Sequence, residues 1–165
     1  MLWTSSDFSR MPPRHRATLI NCLSGFKSAN LVGTRDTDGN TNLAMISSAF
    51  HLGADPALLG FISRPDLVSR HTLENIRQTS VYTLNHVHSG IIAAAHQTSA
   101  RYAREQSEFD ATGLTPAFSQ YHEAPYVAEC RVRLGLVLRE MVDIALNGTV
   151  LVIGEVVELH LPDNA

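Results

Sequence analysis

An Asp-Gly pair at residues 38–39 stands between two apolar runs, and it constrains the fold of this chain more than any other short stretch. The runs cover residues 30–34 and 42–50. Because Asp-Gly between strand-like runs favours a tight hairpin, the pattern predicts two antiparallel strands. A third apolar run, residues 57–63, follows a turn cluster that ends at Pro56 and predicts a third strand. These strands begin an antiparallel sheet.

The second half of the chain carries a similar signal at Asn147-Gly148, which separates MVDIAL from TVLVIGEVVEL. Asn-Gly suits a type I′ turn, so the pattern predicts a second hairpin. Residues 81–85 are rich in β-branched and aromatic side chains and predict a strand. Residues 125–142 alternate in parts and predict one long or broken strand.

Helical signals are few and short. Pro12-Pro13 precede an opening helix that we expect to cover one end of the sheet, with Gly25 just past its end. Thr72 is a candidate N-cap for a short helix over residues 73–79. The remaining segments predict a helix at 89–100, a short capped helix at 107–113 and a loop at 114–124.

Six or seven strands, joined mostly by hairpins, differ from the regular strand–helix alternation of a parallel sheet. The prediction is therefore a mainly β fold, a closed or split antiparallel barrel with a few peripheral helices. At 165 residues the chain is expected to form a single domain, 1–165.

Composition excludes several classes of function. The net charge is -3 and no run of Lys and Arg stands out, which argues against a nucleic-acid partner. No apolar run reaches the roughly 20 residues that a membrane span needs, and no secretory signal opens the chain. The two cysteines, Cys22 and Cys130, have no CxxC pairing. We therefore expect a soluble cytoplasmic protein with no membrane partner.

One candidate site lies on the second strand, where Asn42, Ser47 and Ser48 surround the backbone of residues 43–46. A flat heteroaromatic ring laid along a strand edge would use the backbone N–H and C=O groups as much as side chains. The alternative is that these serines mark only the polar end of a strand.

A second candidate site precedes the 73–79 helix. A helix N-terminus presents free amides and partial positive charge that suit a phosphate, and arginines add charge-assisted hydrogen bonds. The alternative is a helix cap beside two solvated arginines. The residues concerned are Arg64, Ser69, Arg70, His71 and Thr72.

Other chemistry is poorly supported. Eight histidines are present, but none falls in an HExxH or similar spacing, so no metal site is predicted. The chain has no GxSxG nucleophile motif and no GxGxxG after a strand, which argues against serine hydrolysis and a Rossmann dinucleotide site.

An ordered set of segments resembles the flavin reductase-like family of FMN-binding split barrels. The segments are NLVGTRDTDGNTNLAMISSAFHLGADPALLGFISRP, SRHTLENI, VYTLNHV, AHQTSA, SEFDATGL, APYVAEC and NGTVLVIGEVVEL. The resemblance implies a Greek-key-like split β-barrel that forms a homodimer, with FMN near the subunit interface. It also implies that the C-terminal tail after the GEV strand is short relative to the family.

The resemblance implies three groups of cofactor-binding residues. Beside the flavin ring it places Asn42, Ala44, Met45, Ile46, Ser47 and Ser48. At the ribityl phosphate it places Phe61, Ser63, Arg64, Ser69, Arg70, His71 and Thr72. It also marks His96, Thr98 and Ser99, which would approach the flavin or the dimer interface. Asn75 is expected to be structural. No catalytic side chain is assigned, because Asn147-Gly148-Thr149 replaces the family's Gly-Asp-His segment.

The implied activity is that of an NAD(P)H:flavin reductase, in which NADH or NADPH gives a hydride to flavin N5. The protein's task would be to position the rings and tune the flavin, which is FMN or, alternatively, FAD. Two other functions stay open at this point. One is a non-catalytic FMN-binding or electron-carrier protein, and the other is a small barrel that binds haem or a phosphorylated vitamin.

Overall fold

The computed structural model describes residues 2–64 and 71–162. Two short helices open the described chain, α1 (Ser5–Arg10) and α2 (Pro13–Cys22). Neither helix buries a side chain, and Ile20 and Leu23 stay exposed. The opening helix was expected to cover one end of the sheet, but none of its side chains is buried and its Leu19 is only half-buried.

The remaining elements are mostly strands. In chain order they are β1 (Asn30–Arg35), β2 (Thr41–Ile46), β3 (Phe50–Ala54), β4 (Ala57–Ser63), α3 (His71–Thr79), β5 (Val81–His86), a 3-10 turn (Ser89–Ile91), α4 (Ile92–Gln97), α5 (Glu108–Thr112), β6 (Pro116–Ala117), β7 (Tyr126–Val127), β8 (Arg133–Ile144) and β9 (Thr149–His160). Among the described helices, none has the length and apolar character that crossing a membrane requires.

Seven strands form one antiparallel sheet in the order β2-β1-β5-β8-β9-β4-β3. Strands β2 and β3 lie at opposite edges, yet only residues 47–49 join them. A flat seven-stranded sheet would hold its edges about 29 Å apart. A link of three residues spans on the order of 13 Å. The sheet must therefore curl until its two edges approach each other, as in a split barrel. We call residues 47–49 the seam.

The predicted hairpins are confirmed, with one correction to the turn type. Strands β1 and β2 pair antiparallel across the Asp38-Gly39 turn. In the β8–β9 hairpin the last pair is Ile144 with Thr149, so the loop has four residues and is not the predicted two-residue type I′ turn. Only Gly148 in that loop has a positive φ, of 71°, and the Ile144 carbonyl accepts from Gly148 N–H at 2.9 Å.

Of four other predictions, two are wrong and two are confirmed. The run 42–50 is not one strand, because the seam interrupts it between β2 and β3. Residues 125–142 form a broken strand, β7 and β8, which was one of the two predicted alternatives. The short helix α5 is capped by Ser107, whose hydroxyl accepts from Phe109 N–H at 3.3 Å, and ends at Gly113. Thr72 is not an N-cap but lies inside α3.

Two hydrophobic clusters pack on opposite faces of the strands β1, β2 and β5. The first fills the barrel interior, with α3 closing one end; its buried members are Val32, Phe61, Leu73, Ile76, Tyr82, Leu84, Leu134, Leu136, Val150 and Val152. The second lies outside the barrel, where α4, α5 and β7 cover the sheet; its members are Leu31, Leu43, Ala95, Phe109, Leu114, Val127 and Cys130. Successive residues of β2 therefore face different clusters.

Candidate functional site

The seam is held to the opposite edge of the sheet by one side chain. The Ser48 hydroxyl donates to the Ile62 carbonyl at 2.9 Å and accepts from the Ile62 N–H at 3.1 Å. Both main-chain groups of Ile62 point toward the side where β3 has already ended, since the β3–β4 ladder stops at Phe50 and Gly60. Ser48 thus takes the place of a strand partner, which is a structural role.

A buried amide and hydroxyl network joins β2 to the start of α3. The Asn42 side chain donates to the Thr72 hydroxyl at 2.9 Å and to the Thr34 hydroxyl at 3.4 Å. Asn75 donates to the same Thr34 hydroxyl at 3.1 Å, while no hydrogen bond among the described residues reaches its Oδ1. Thr72 and Asn42 are therefore side by side, and Asn75 has the structural role that was expected of it.

The free edge of β2 is partly covered by α5. The Leu43 N–H donates to a carboxylate oxygen of Glu108 at 2.9 Å, so it points away from β1. Two residues earlier on β2, the Thr41 hydroxyl lies 2.8 Å from the Ser107 hydroxyl. In a strand, the N–H groups of residues two apart point to the same side, so the Met45 N–H also points away from β1. No hydrogen bond within the described residues uses that N–H on the open side.

The side chains of β2 divide between its two faces. Leu43 and Met45 pack in the outer cluster beneath α4 and α5. Asn42, Ala44 and Ile46 face the other way, toward α3 and the barrel interior. A ligand beside this strand would meet the small Ala44 on the α3 side and the Met45 amide at the free edge.

The predicted phosphate-binding residues flank one segment of the chain. Arg64 is exposed just after β4, and His71 is half-buried at the start of α3. Ser69 and Arg70 lie outside the described residues. Ser63 is half-buried and Phe61 is fully buried, where its ring packs edge-on against Tyr82 with centroids 5.7 Å apart. Phe61 can therefore contribute to a ligand site only through its main chain.

A small polar pocket adjoins this region, with a volume of about 10 Å³, which is room for one water molecule. Its lining residues are Asp36, Asn40, Thr41, Asn42, His71, Asn75, Arg104, Gln106 and Glu108. Burial raises the pKa of the Glu108 carboxyl, against the lowering effects of the Leu43 N–H and the nearby His71. The Asn40 side chain, with backbone N–H groups, lowers the pKa of Asp36.

The third predicted group lies apart from the others. His96 and Ser99 are exposed near the end of α4, and Thr98 is buried with its hydroxyl bonded to the Ala95 carbonyl at 2.8 Å. Ala95 belongs to the outer cluster, so α4 covers the face opposite to α3. In the described chain no hydrogen bond or ion pair links these three residues to β2, the seam or α3.

Two residues of this region were not predicted, Glu108 and Thr34. Both act across long sequence separations, since Glu108 contacts a strand 65 residues earlier and Thr34 receives a bond from Asn75. In the sequence, Glu108 reads only as an acidic residue in the first turn of a capped helix. Nothing local in the sequence indicates that it reaches a strand edge.

Comparison with known proteins agrees with this fold. A family model described as flavin reductase like domain matches residues 24–165. A candidate flavin reductase with a split barrel domain from Shewanella frigidimarina NCIMB 400 is 52% identical, with a TM-score of 0.96, and the match covers 100% of this chain and 82% of that one. The NADH:FAD oxidoreductase SgcE6 of Streptomyces globisporus C-1027 is 14% identical, with a TM-score of 0.75 and coverage of 92% and 86%.

A sequence relative adds a point about length. An uncharacterized protein of Halalkalibacterium halodurans is 27% identical over 139 residues, which are 81% of this chain but 66% of the relative. This chain therefore spans about two thirds of that relative's length. The matched family model covers most of the chain, and the mainly β split barrel is the fold of its relatives. The chain belongs to the flavin reductase-like family.

Proposed function

We propose that this protein binds FMN and acts as a flavin reductase, an oxidoreductase that uses NADH or NADPH as electron donor. The observation that carries the proposal is the meeting of three features at one place: the open edge of β2, the end of β4 and the start of α3. The Asn42–Thr72 and Ser48–Ile62 contacts hold these features together. Membership of the flavin reductase-like family supports the same cofactor.

The ring of the flavin would lie along residues 44–48. A flavin ring has hydrogen-bond acceptors on its rim and two apolar faces, so it needs backbone donors beside small or apolar side chains. The outward N–H of Met45 and the small side chain of Ala44 fit these needs. Ser47 is half-buried beside them, whereas the Ser48 hydroxyl is already engaged with Ile62.

The phosphate would lie between the end of β4 and the start of α3. Arg64 supplies an exposed guanidinium, and the N-terminus of the nine-residue α3 supplies partial positive charge. Ser69 and Arg70 are assigned to the same site from their sequence position alone. The chain's own residues would thus hold the flavin ring at one end of the site and the phosphate at the other.

A bound flavin would supply the redox chemistry, since it accepts two electrons from a reduced nicotinamide and passes them on. The protein's contribution is to orient the ring and to place the Met45 N–H near its polar rim. No side chain in this region is assigned as an acid or base. Among solved relatives, one is described as an NADH:FAD oxidoreductase, which supports a nicotinamide donor and keeps FAD as an alternative flavin.

A homodimer is part of the proposal, and an apolar patch on the outer face of the sheet supports it. Val142 pairs with Leu151, and Leu151 pairs with Ile62, which makes a row across three strands. The Phe50 ring lies over Gly60 next to Ile153, and Phe50 and Val142 are 41% and 38% exposed. We call Phe50, Ile62, Val142, Leu151 and Ile153 the outer patch, and a second copy of the chain would cover it.

We also propose a reducing, cytoplasmic location. Cys22 is exposed and Cys130 is buried, and both are free thiols. Burial raises the pKa of the Cys130 thiol to about 12, which keeps it protonated and unreactive.

The test is a titration of the purified protein with FMN and, separately, with riboflavin, which lacks the phosphate. We expect one FMN per chain, with weaker binding of riboflavin. Arg64→Ala and Arg70→Ala should weaken FMN binding about tenfold each and leave riboflavin binding unchanged. Arg77→Ala, an exposed change at the other end of α3, is the matched control.

Steady-state oxidation of NADH and NADPH in the presence of FMN then separates the two remaining functions. Turnover with either donor supports a reductase. Tight FMN binding without turnover would identify a non-catalytic flavin carrier instead. A folded protein that binds no flavin would overturn the proposal as a whole.

A further inference from the structure

Strand β2 is an edge strand, and its open side sets where a flat ligand can lie. Main-chain groups on that side belong to residues 41, 43 and 45, because direction alternates along a strand. Successive outward amides are about 6.8 Å apart, which is two residues of an extended strand. A ring with several acceptors on its rim could therefore dock in more than one register if all of these amides were free.

Helix α5 meets β2 at the first two of these three residues, but it engages the main chain only at Leu43. Its N-cap Ser107 meets the Thr41 hydroxyl at 2.8 Å, and the Glu108 carboxylate accepts the Leu43 N–H at 2.9 Å. The helix is anchored by Phe109, which is 1% exposed and lies in the same cluster as Leu43. The cover stops there, and the Met45 N–H is left without a partner in the described residues.

The contact between Glu108 and Leu43 has a second consequence. A carboxylate at this position not only fills the amide but also repels the carbonyl and nitrogen acceptors of a flavin rim. Because the Leu43 amide is occupied and the Glu108 carboxylate repels these acceptors, a flavin shifted by two residues toward the β1–β2 turn would bind less well.

We propose that Glu108 is a positioning residue of the flavin site, which blocks the Leu43 amide and so favours docking at the Met45 amide over docking at the Leu43 amide. This inference rests on the proposed function. It adds a residue, and a role in register selection, that the cofactor assignment does not contain. Glu108 does not touch the flavin in this account and acts only through the strand.

The test combines FMN titration with amide hydrogen exchange, read at the Leu43 and Met45 amides by NMR. In the wild-type protein, Leu43 should be protected without FMN, and Met45 should become protected only when FMN is added. Glu108→Ala should expose the Leu43 amide, and FMN should then protect both amides partially. The overall affinity for FMN should stay the same or rise by about twofold, because no hydrogen bond to the flavin is removed and a second register becomes available.

Two variants separate positioning from a general loosening of α5. Glu108→Gln keeps a side-chain oxygen that can accept the Leu43 N–H, so it should restore the wild-type exchange pattern. Thr41→Val removes the other tether between β2 and α5 and should leave both amides and the affinity as in the wild type.

The inference fails if FMN binds to the wild-type protein without protecting the Met45 amide. It also fails if Glu108→Ala keeps the wild-type exchange pattern when FMN is added, and the proposed function would stand in both cases. If the folded wild-type protein binds no FMN, the proposed function fails first and the inference fails with it.

Discussion

The hydroxyl of Ser48 makes two hydrogen bonds to one residue, donating to the Ile62 carbonyl and accepting from the Ile62 N–H. The donor–acceptor distances are 2.9 and 3.1 Å, and Ser48 lies in the seam while Ile62 lies on β4, 14 residues later. The Ser48 side chain thus provides hydrogen-bond partners for two main-chain groups of Ile62 that no neighbouring strand satisfies. It is also the contact through which the seam holds its position beside β4.

Removing this contact should reduce stability. Ser48→Ala leaves two half-buried main-chain groups of Ile62 without partners, so we expect the free energy of unfolding to fall by about 1–3 kcal/mol. Urea denaturation of the flavin-free protein measures the change. Ser47→Ala is the matched control, since Ser47 is half-buried on the same segment and makes no hydrogen bond in the described structure. Equal losses for the two variants would contradict the role given to Ser48.

Gly33 marks a place where two segments approach too closely for a side chain. A Cβ atom there would lie within van der Waals radii of the Pro125 carbonyl oxygen and the Thr83 hydroxyl. Both neighbours are fixed, because the Thr83 hydroxyl donates to that carbonyl at 2.6 Å inside the protein. Gly33→Ala should therefore lower the free energy of unfolding by about 1–3 kcal/mol or more through overpacking.

A second glycine provides the comparison for Gly33. Gly53 has open space around it, where an added Cβ would come no closer than 3.6 Å to the Pro56 oxygen. Thermal unfolding of Gly53→Ala should match the wild type within about 0.5 kcal/mol. A loss at Gly53 as large as that at Gly33 would show that backbone freedom, not the close approach, determines the cost.

The pH dependence of stability should carry a contribution from Glu108. Burial raises its folded-state pKa above the ordinary 4.5, so the folded protein binds this proton more tightly than the unfolded chain does. The resulting stability is present below pH 4.5 and is lost as the pH rises through the raised folded value. Glu108→Gln cannot lose this proton, so its stability relative to the wild type should increase as the pH rises from 4.5 through the raised folded pKa of Glu108.

Denaturant midpoints at a series of pH values measure this difference. His71 lies close enough to favour the charged form of Glu108, so the same series should be repeated with His71→Gln, where the Glu108 effect should grow. The exposed Glu105→Gln is the control and should track the wild type at every pH. A Glu108→Gln curve parallel to the wild type would contradict the raised pKa.

The outer patch predicts a dimer that a single charge can disrupt. Val142→Asp places a carboxylate at one end of the Val142–Leu151–Ile62 row, and desolvating it at an interface is costly. Light scattering after gel filtration should report a dimer for the wild type and a monomer for this variant. Ile20→Asp, at a similarly exposed apolar position on α2, should remain dimeric. A monomeric wild-type protein would contradict the dimer proposal.

The strand pattern and its turns were readable from the sequence, because the signals are local. Alternating apolar residues determine the strands in which they lie. Asp38-Gly39 and Asn147-Gly148 determine the chain reversals around them. The exact bounds of β4 and the capped helix before Gly113 follow from the same kind of signal. The predicted type I′ turn at Asn147-Gly148 was wrong, because the β8–β9 ladder ends at the Ile144–Thr149 pair and leaves a four-residue loop.

The site was predictable only in outline. Sequence order places residues 42–48 and 64–72 next to a strand edge and a helix start, and the structure brings Asn42 against Thr72. It also shows that Phe61 is a core residue and that Ser48 is already bonded to the backbone. The assignment of cofactor residues stays a prediction until flavin binding is measured.

What the sequence by itself determined is the set of strands and turns, because each is encoded in neighbouring residues. Only the tertiary structure decided that the two sheet edges, formed by β2 and β3, approach each other at the seam. Only the tertiary structure decided that Glu108 reaches the Leu43 amide. Both depend on how a seven-stranded sheet curls, and sheet closure is a property of all the strands together. No single stretch of sequence carries it, so contacts across 14 or 65 residues emerge only when the whole sheet is assembled.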